Sequence, residues 1–297
     1  MAATIDTAFV NQFKANIELL HQQKGSKLED CVRVEMQNGE YAYYDQMSKQ
    51  TSLTTSPARN ASTAFIDSPY SRRRVGLTSY KYAELIDEFD TVRMLVDPSS
   101  TIAQNIAYLF GRTKDSVIIT AANATAYTGK EGGTSTTFSG AMVIPASGTV
   151  GVDTNAEWCG DTTGLNLAKL RGASYLLDMN DVDEEDRFLI AHPFHKAQML
   201  AITEVASRDY NTDLVLTNGQ VDSFMGFKFV WTTQATANTI FCWHKQAMLL
   251  SIGEGDAGMT AEIERDMTHN YSTQVFMSAS YGASRMDEDA VVQINCA

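Results

Sequence analysis

From residue 7 onward Phe9, Phe13, Ile17 and Leu20 recur at helical spacing with polar residues between them, and Thr7 can cap. This predicts a helix over residues 7–23, ended by Lys24-Gly25-Ser26. The period then changes to two. Val32, Val34 and Met36 alternate with Arg33, Glu35 and Gln37, the pattern of a half-buried strand, and Asn38-Gly39 supplies a type I′ hairpin signal before the chain returns through Tyr41 to Tyr44. Residues 48–69 are rich in Ser, Thr and Ala, contain Pro57 and Pro69, and hold few large apolar groups, so they bury little by themselves. Alternation resumes at 70–82. Read without a break, it sets Tyr70, Arg72, Arg74, Thr78, Tyr80 and Tyr82 on one face and Arg73, Val75 and Leu77 on the other. The arginines thus belong to the returning strand of a long hairpin. Fully extended arms of about 15 residues would reach about 50 Å at about 3.3 Å per residue.

Beyond Asp97-Pro98, Ser99 or Ser100 can cap a long helix. Its apolar side is Ile102, Ala103, Ile106, Ala107, Leu109 and Phe110, and Val117, Ile118, Ala121 and Ala122 continue or restart it past Gly111. Residues 128–160 are irregular and glycine-rich, with strand-like pieces near Ala141. From residue 164 helix and strand alternate: a helix over 167–177, a buried strand over 186–192, and a helix begun by Pro193 and running through Val205. A turn at Asn218-Gly219, a strand over 226–231 and a strand-to-helix step across 239–250 follow. The tail predicts strands at 260–267, 273–281 and 290–294.

Composition narrows the function classes. The chain has 297 residues, 44% hydrophobic and 20% charged, with five prolines against 19 glycines. That suits one or two intimately connected globular domains. Acidic residues outnumber basic ones 36 to 23, for a net charge of −13. This argues against a protein whose main work is to grip phosphate backbones, because that binding is driven by Lys and Arg displacing counterions. The cysteines at 31, 159, 242 and 296 are far apart, which predicts neither a disulfide framework nor a zinc site. No basic start precedes an apolar block, and no run of 18 apolar residues occurs, so neither a signal peptide nor a membrane span is expected.

Candidate chemistry fails on context. Gly253-Glu-Gly255-Asp-Ala-Gly258 has the spacing of a dinucleotide loop, but two acids sit where pyrophosphate would lie and no clear helix follows. Thr128-Gly-Lys lacks the first glycine and the hydroxyl of a P-loop. The Gly-x-Ser strings at 133, 172 and 282 lack the closing glycine of a nucleophile elbow. His192 and His195 have no carboxylate or thiol nearby in sequence and read as a packed or surface pair. The acidic run from Asp178 to Asp186 lacks the glycine and spacing of a calcium loop and reads as a solvated connection. No catalytic, cofactor or metal site is expected. For the arginine triplet, the acids that follow it (Glu84, Asp87, Glu88, Asp90) weigh against nucleic acid, and an anion-binding catalytic patch is the least favoured reading. Protein–protein contact or a solvated strand remains.

A set of ordered motifs resembles the tailed-bacteriophage major capsid proteins with the Hong Kong 97 phage capsid fold, over nearly the whole length. These are Phe9-x-x-x-Phe13; Gln22-Gln23-x-Gly25-Ser26; Arg72-Arg73-Arg74-Val75; Ile86-Asp87-x-x-Asp90; Asp97-Pro98; Gly111-Arg112-x-x-Asp115; Arg187-Phe-Leu-Ile-x-His-Pro193; Ser207-Arg-Asp-Tyr210; Gly219-x-Val-x-x-Phe-x-Gly-Phe227; and Tyr281-Gly-Ala-x-Arg285. The resemblance implies an α+β fold with an N-terminal arm (1–30), an extended loop and its base (31–85), and a peripheral domain with a spine helix (86–161). It further implies an axial domain (162–245) and C-terminal strands rejoining the peripheral domain (246–297). It implies a non-enzymatic shell protein of the virion, made in the host cytoplasm, that forms hexamers and pentamers of an icosahedral capsid. The shell encloses double-stranded DNA without sequence-specific binding or a membrane, with a separate scaffolding protein, a portal protein and room for a decoration protein. Lys49, the only lysine between residues 28 and 80, does not by itself establish loop cross-linking. Arg72, Arg73, Arg74, Tyr80, Tyr82, Phe9 and Phe13 are the expected inter-subunit contacts. The alternatives are an encapsulin-like nanocompartment shell of the same fold, or a hydrolase using His192 or His195.

Overall fold

The computed structural model describes residues 21–50, 65–87, 99–146, 164–201, 223–255 and 258–296, with a few isolated positions between 53 and 62. The helix expected over 7–23 lies outside these residues except for its last three, which are irregular, and Phe9 and Phe13 lie outside them altogether. In chain order the strands begin with β1 (Arg33–Gln37), β2 (Tyr41–Met47), β3 (Tyr70–Gly76) and β4 (Thr78–Ile86), followed by helix α1 (Ser99–Asn123). Short strands β5 (Ala126–Thr128), β6 (Thr134–Thr136) and β7 (Val143–Ile144) precede α2 (Leu167–Met179), β8 (Arg187–Ala191) and α3 (Pro193–Leu200). The chain closes with β9 (Ser223–Phe224), β10 (Phe227–Trp231), β11 (Thr239–His244), β12 (Met248–Gly253), β13 (Thr260–Asp266), β14 (Ser272–Arg285) and β15 (Val291–Asn295).

Among the described residues these strands form three sheets. The 14-residue β14 organises the first, pairing with β4 and β13 along its first part and with β12 along its last; β1 runs parallel to β12 at the edge. The second has the order β7-β15-β11-β8-β10-β9, and the third the order β2-β3-β5-β6.

Strict alternation in the second sheet gives it two buried faces. Leu189, Phe227, Ile240, Cys242, Val292 and Ile294 meet Leu170, Ala173, Leu177 and Met199 from α2 and α3. The intervening Ile190, Phe241, Trp243 and Val291 meet Ile118 and Ala122 of α1 and Met248 and Leu250 of β12. α1 is one unbroken helix of 25 residues, about 37 Å long at about 1.5 Å per residue. Its first half packs Ile106 and Phe110 on Ile86, Val275, Met277, Ala279 and Tyr281. One helix therefore carries both cores. None of the helices among the described residues is long and apolar enough to cross a membrane.

Several sequence expectations change. Asn38-Gly39 does not close a hairpin: β1 and β2 lie in different sheets, and Asn38 is not among the residues with positive φ that a type I′ turn needs. On β1 the outer positions Val34 and Met36 are exposed, whereas Gln37 is buried and holds Ser251 through a 2.6 Å hydrogen bond. The alternation at 70–82 breaks at Leu77, where the chain leaves the third sheet for the first, so Arg72 and Arg74 do not share a face with Tyr80 and Tyr82. The step across 239–250 is two strands joined by a three-residue 3-10 turn at Lys245–Ala247, not strand to helix.

Candidate assembly surface

β2 and β3 pair antiparallel from Tyr41↔Gly76 to Met47↔Tyr70, so the arginine triplet lies on the returning strand of the hairpin as its alternation requires. β5 and β6 widen this hairpin base into a four-stranded sheet, with Arg73 opposite Thr128 and Arg74 opposite Tyr127. The two faces of this sheet have different chemistry.

The inner face is bolted to the body. Arg73 and Val75 are buried, and Val75 packs with Leu249 and Met286. Arg73 Nη1 lies 3.1 Å from Glu288, which also meets Arg285 Nη2 at 3.4 Å. Arg285, fully buried, donates from Nη1 to the carbonyl oxygens of Ala122 and Ala124 and lies over the Phe138 ring. It therefore satisfies the open carbonyls at the end of α1 with a cation, where the helix dipole is negative. Burial draws the Arg285 guanidinium below its usual range, and Glu288 opposes that shift. Close approach explains Gly282: a side chain there would fall on the Gly76 carbonyl oxygen, where β3 crosses β14.

The outer face is open. Tyr41, Tyr43 and Tyr127 are each between 43% and 47% exposed. The Arg74 guanidinium sits 4.7 Å from the ring centres of both Tyr41 and Tyr127. Arg72 forms a bidentate pair with Asp45, at 2.5 and 3.1 Å, and donates to the Lys130 carbonyl. That pair holds the Asp45 carboxyl below its ordinary range. Tyr80 packs toward Tyr281 on the first sheet, and the exposed Tyr82 donates to Glu84, so both lie apart from this face.

A second anchor was invisible as such in the sequence. The Asp115 carboxylate, fully buried on α1, accepts hydrogen bonds from Gln23 Nε2, Ser26 Oγ and the backbone N–H groups of Lys27 and Leu28. One turn earlier, Gly111 lets residues 25 and 26 approach: a Cβ there would lie 2.5 Å from the Gly25 carbonyl carbon. Arg112 donates to Gln22, and Gln22 to Asn105. The motifs at 22–26 and 111–115 are thus two halves of one clasp. It fixes residues 22–28 on α1.

Both histidines of the His192–His195 pair are engaged in local structure. His192 caps α3 by accepting from the Phe194 N–H, and His195 is buried with Nδ1 2.9 Å from Gln198. No cluster of His, Cys, Asp and Glu suited to a metal occurs among the described residues, where Cys31, Cys242 and Cys296 are free and buried.

A sequence model of the phage capsid protein family matches residues 5–297. The chain belongs to that family. No curated protein sequence matches it. Several solved structures share its fold. The capsid of cyanophage P-SCSP1u is 18% identical with a TM-score of 0.73, over 100% of this chain and 95% of that one. The cyanophage Pam1 capsid is 12% identical with a TM-score of 0.73, over 99% and 98%. A chain of Mycobacterium phage Che8 is 14% identical with a TM-score of 0.70, over 97% of each. The fold is thus the Hong Kong 97 phage capsid fold that the motifs implied. This capsid protein has a structural role, as a major capsid protein of the virion shell. The nanocompartment and hydrolase alternatives gain no support.

Proposed function

We propose that this capsid protein closes into an icosahedral shell of hexamers and pentamers around double-stranded DNA, with the outer face of the hairpin base as an inter-subunit contact. The observation that carries this reading is the open Tyr–Arg face on a sheet whose other side is locked to the body. Aromatic residues and arginine are enriched at protein interfaces, and a face already held rigid loses little entropy on docking. Arg72 and Arg74 are the contact residues. Arg73 supports them from beneath, and Tyr82 with the arm residues Phe9 and Phe13 adds contacts elsewhere. Assembly takes place in the host cytoplasm with a separate scaffolding protein and a portal protein, and a decoration protein fits the same plan. A net charge of −13 keeps the inner wall from gripping DNA, because repulsion of phosphate acts within about one Debye length, about 8–10 Å.

Replacing Arg72 and Arg74 together by glutamate tests the reading. The subunit should remain folded by circular dichroism, yet fail to yield particles when expressed with its scaffolding protein. Normal particles from that variant would remove the hairpin face from the set of assembly contacts.

A further inference from the structure

The link from β1 to β2 is Asn38-Gly39-Glu40, exposed throughout. It crosses from the first sheet to the third, and both of its ends are fixed. At the near end Gln37 is buried, and its carbonyl accepts from the Glu254 N–H at 2.9 Å. Its side chain accepts from Ser251 Oγ at 2.6 Å and donates to the Gly39 carbonyl at 3.0 Å. At the far end the Glu40 carbonyl accepts from the Leu77 N–H at 3.0 Å, where the returning strand changes sheets. Gly39 has φ of +123°, a backbone conformation that favours glycine. Residue 38 is under no such demand. The Asn38 side chain makes no hydrogen bond among the described residues, and the Gly39 N–H donates to none of them. The fold thus requires the glycine and leaves an idle amide beside it. Glycine has no side chain to block attack by its own nitrogen on the preceding side chain. Asn105, Asn180 and Asn295 differ on both counts: Ile106, Asp181 and Cys296 follow them, and their side chains are hydrogen-bonded. Asn218-Gly219, the other Asn-Gly pair of the sequence, lies outside the described residues.

We propose that Asn38 is a site of spontaneous deamidation through a succinimide, with water as the only co-reactant, and that its isoaspartyl product loosens the hairpin base. Asparagine is among the thermolabile side chains. The Gly39 nitrogen attacks Cγ of Asn38, and a C–N bond forms there as the bond from Cγ to Nδ2 breaks. Ammonia leaves with both amide protons and the proton from the Gly39 nitrogen. Water then opens the ring. Cleavage between Cγ and the Gly39 nitrogen gives aspartate on the original main chain. Cleavage at the main-chain carbonyl gives isoaspartate, whose main chain runs through Cβ and Cγ. Nothing is oxidised or reduced. Both products gain a carboxylate two residues from Glu40, but only isoaspartate lengthens the main chain, adding a methylene between two fixed ends. The bond from Leu77 to Glu40 takes up that length, because Gln37 is buried and held through both its main chain and its side chain.

Ageing the folded full-length chain tests the proposal. The chain is held at mildly alkaline pH in water enriched in heavy oxygen, and peptides are sampled over time by mass spectrometry with fragmentation that separates aspartate from isoaspartate. Residue 38 should convert severalfold faster than Asn105, Asn180 or Asn295, take up heavy oxygen, and yield isoaspartate in excess over aspartate. The rate should rise with pH, because the deprotonated Gly39 nitrogen is the attacking form. An isoaspartate methyltransferase should label the same peptide, and Asn38→Ser should remove that label without altering circular dichroism. Hydrogen exchange then reads the consequence. Leu77 should exchange severalfold faster in the isoaspartyl fraction than in the unaged chain. Asn38→Asp, which carries the charge without the added length, should leave Leu77 close to the parent. If Asn38 persists in the folded chain while the urea-unfolded chain loses it, the fold protects the amide and the site falls. Conversion to aspartate alone overturns the succinimide route. Unchanged Leu77 exchange in the isoaspartyl fraction overturns the loosening of the hairpin base.

Discussion

Glu288 lies between Arg73 and Arg285, two buried arginines that share its one carboxylate. Removing one member of a buried ionic group leaves charge without compensation, which costs far more than the group contributes when intact. Glu288→Ala should therefore destabilise the subunit by about 3–5 kcal/mol in urea unfolding. Asp115→Ala should cost about 1–3 kcal/mol by leaving buried N–H donors unmatched, and limited proteolysis should then cut first near residues 21–28. A third residue sets a pH response. The Asp266 carboxyl is held at about 2, chiefly by the Thr268 side chain, then by the Thr268 N–H, then by His269. Because the folded value lies below the ordinary one, the charged form stabilises the turn above about pH 4, and that contribution disappears as pH falls toward 2. In an NMR titration Thr268→Val should raise the Asp266 midpoint more than His269→Ala does. The reverse order would show that the charge pair, not the hydroxyl and N–H, sets it.

At the scale of elements, the crossing of β3 over β14 depends on Gly282, since any side chain there meets the Gly76 carbonyl. Gly282→Ala should cost about 1–3 kcal/mol through overpacking and speed amide exchange at Arg73–Gly76 more than in α2. Elements with a continuous local period were legible in the sequence: α1, α2, β8, β10 and the strands of the tail. What local period cannot show is which sheet a strand joins. Tyr70–Ile86 alternates almost without a flaw, yet Leu77 separates two sheets, because the partners, β2 and β14, lie far apart in the chain. The same non-locality hid the exposure of Val34 and Met36 on β1. Val34 and Met36 look like core, but β1 is an edge strand whose outer positions face away from the body. The candidate surface was legible in part. The arginines stood out as residues, whereas the tyrosines that frame Arg74 come from β2 and β5, brought together only by pairing. The clasp of Asp115 was written as two motifs some 90 residues apart, and nothing in either one names the other.

For the whole molecule, α1 joins two cores, the hairpin base is locked to one end of it, and residues 22–28 are held beside its middle. Residues 22–28 and the hairpin base are therefore both fixed on α1. We propose that many copies close into a shell through the hairpin base and the N-terminal residues. Electron cryo-microscopy of particles formed by the full-length chain with its scaffolding protein tests it most directly. Closed icosahedral shells are expected, in which the outer face of the Tyr41–Gly76 hairpin base lies against an adjacent subunit. Small open oligomers alone, or shells in which that face contacts only solvent, would contradict it.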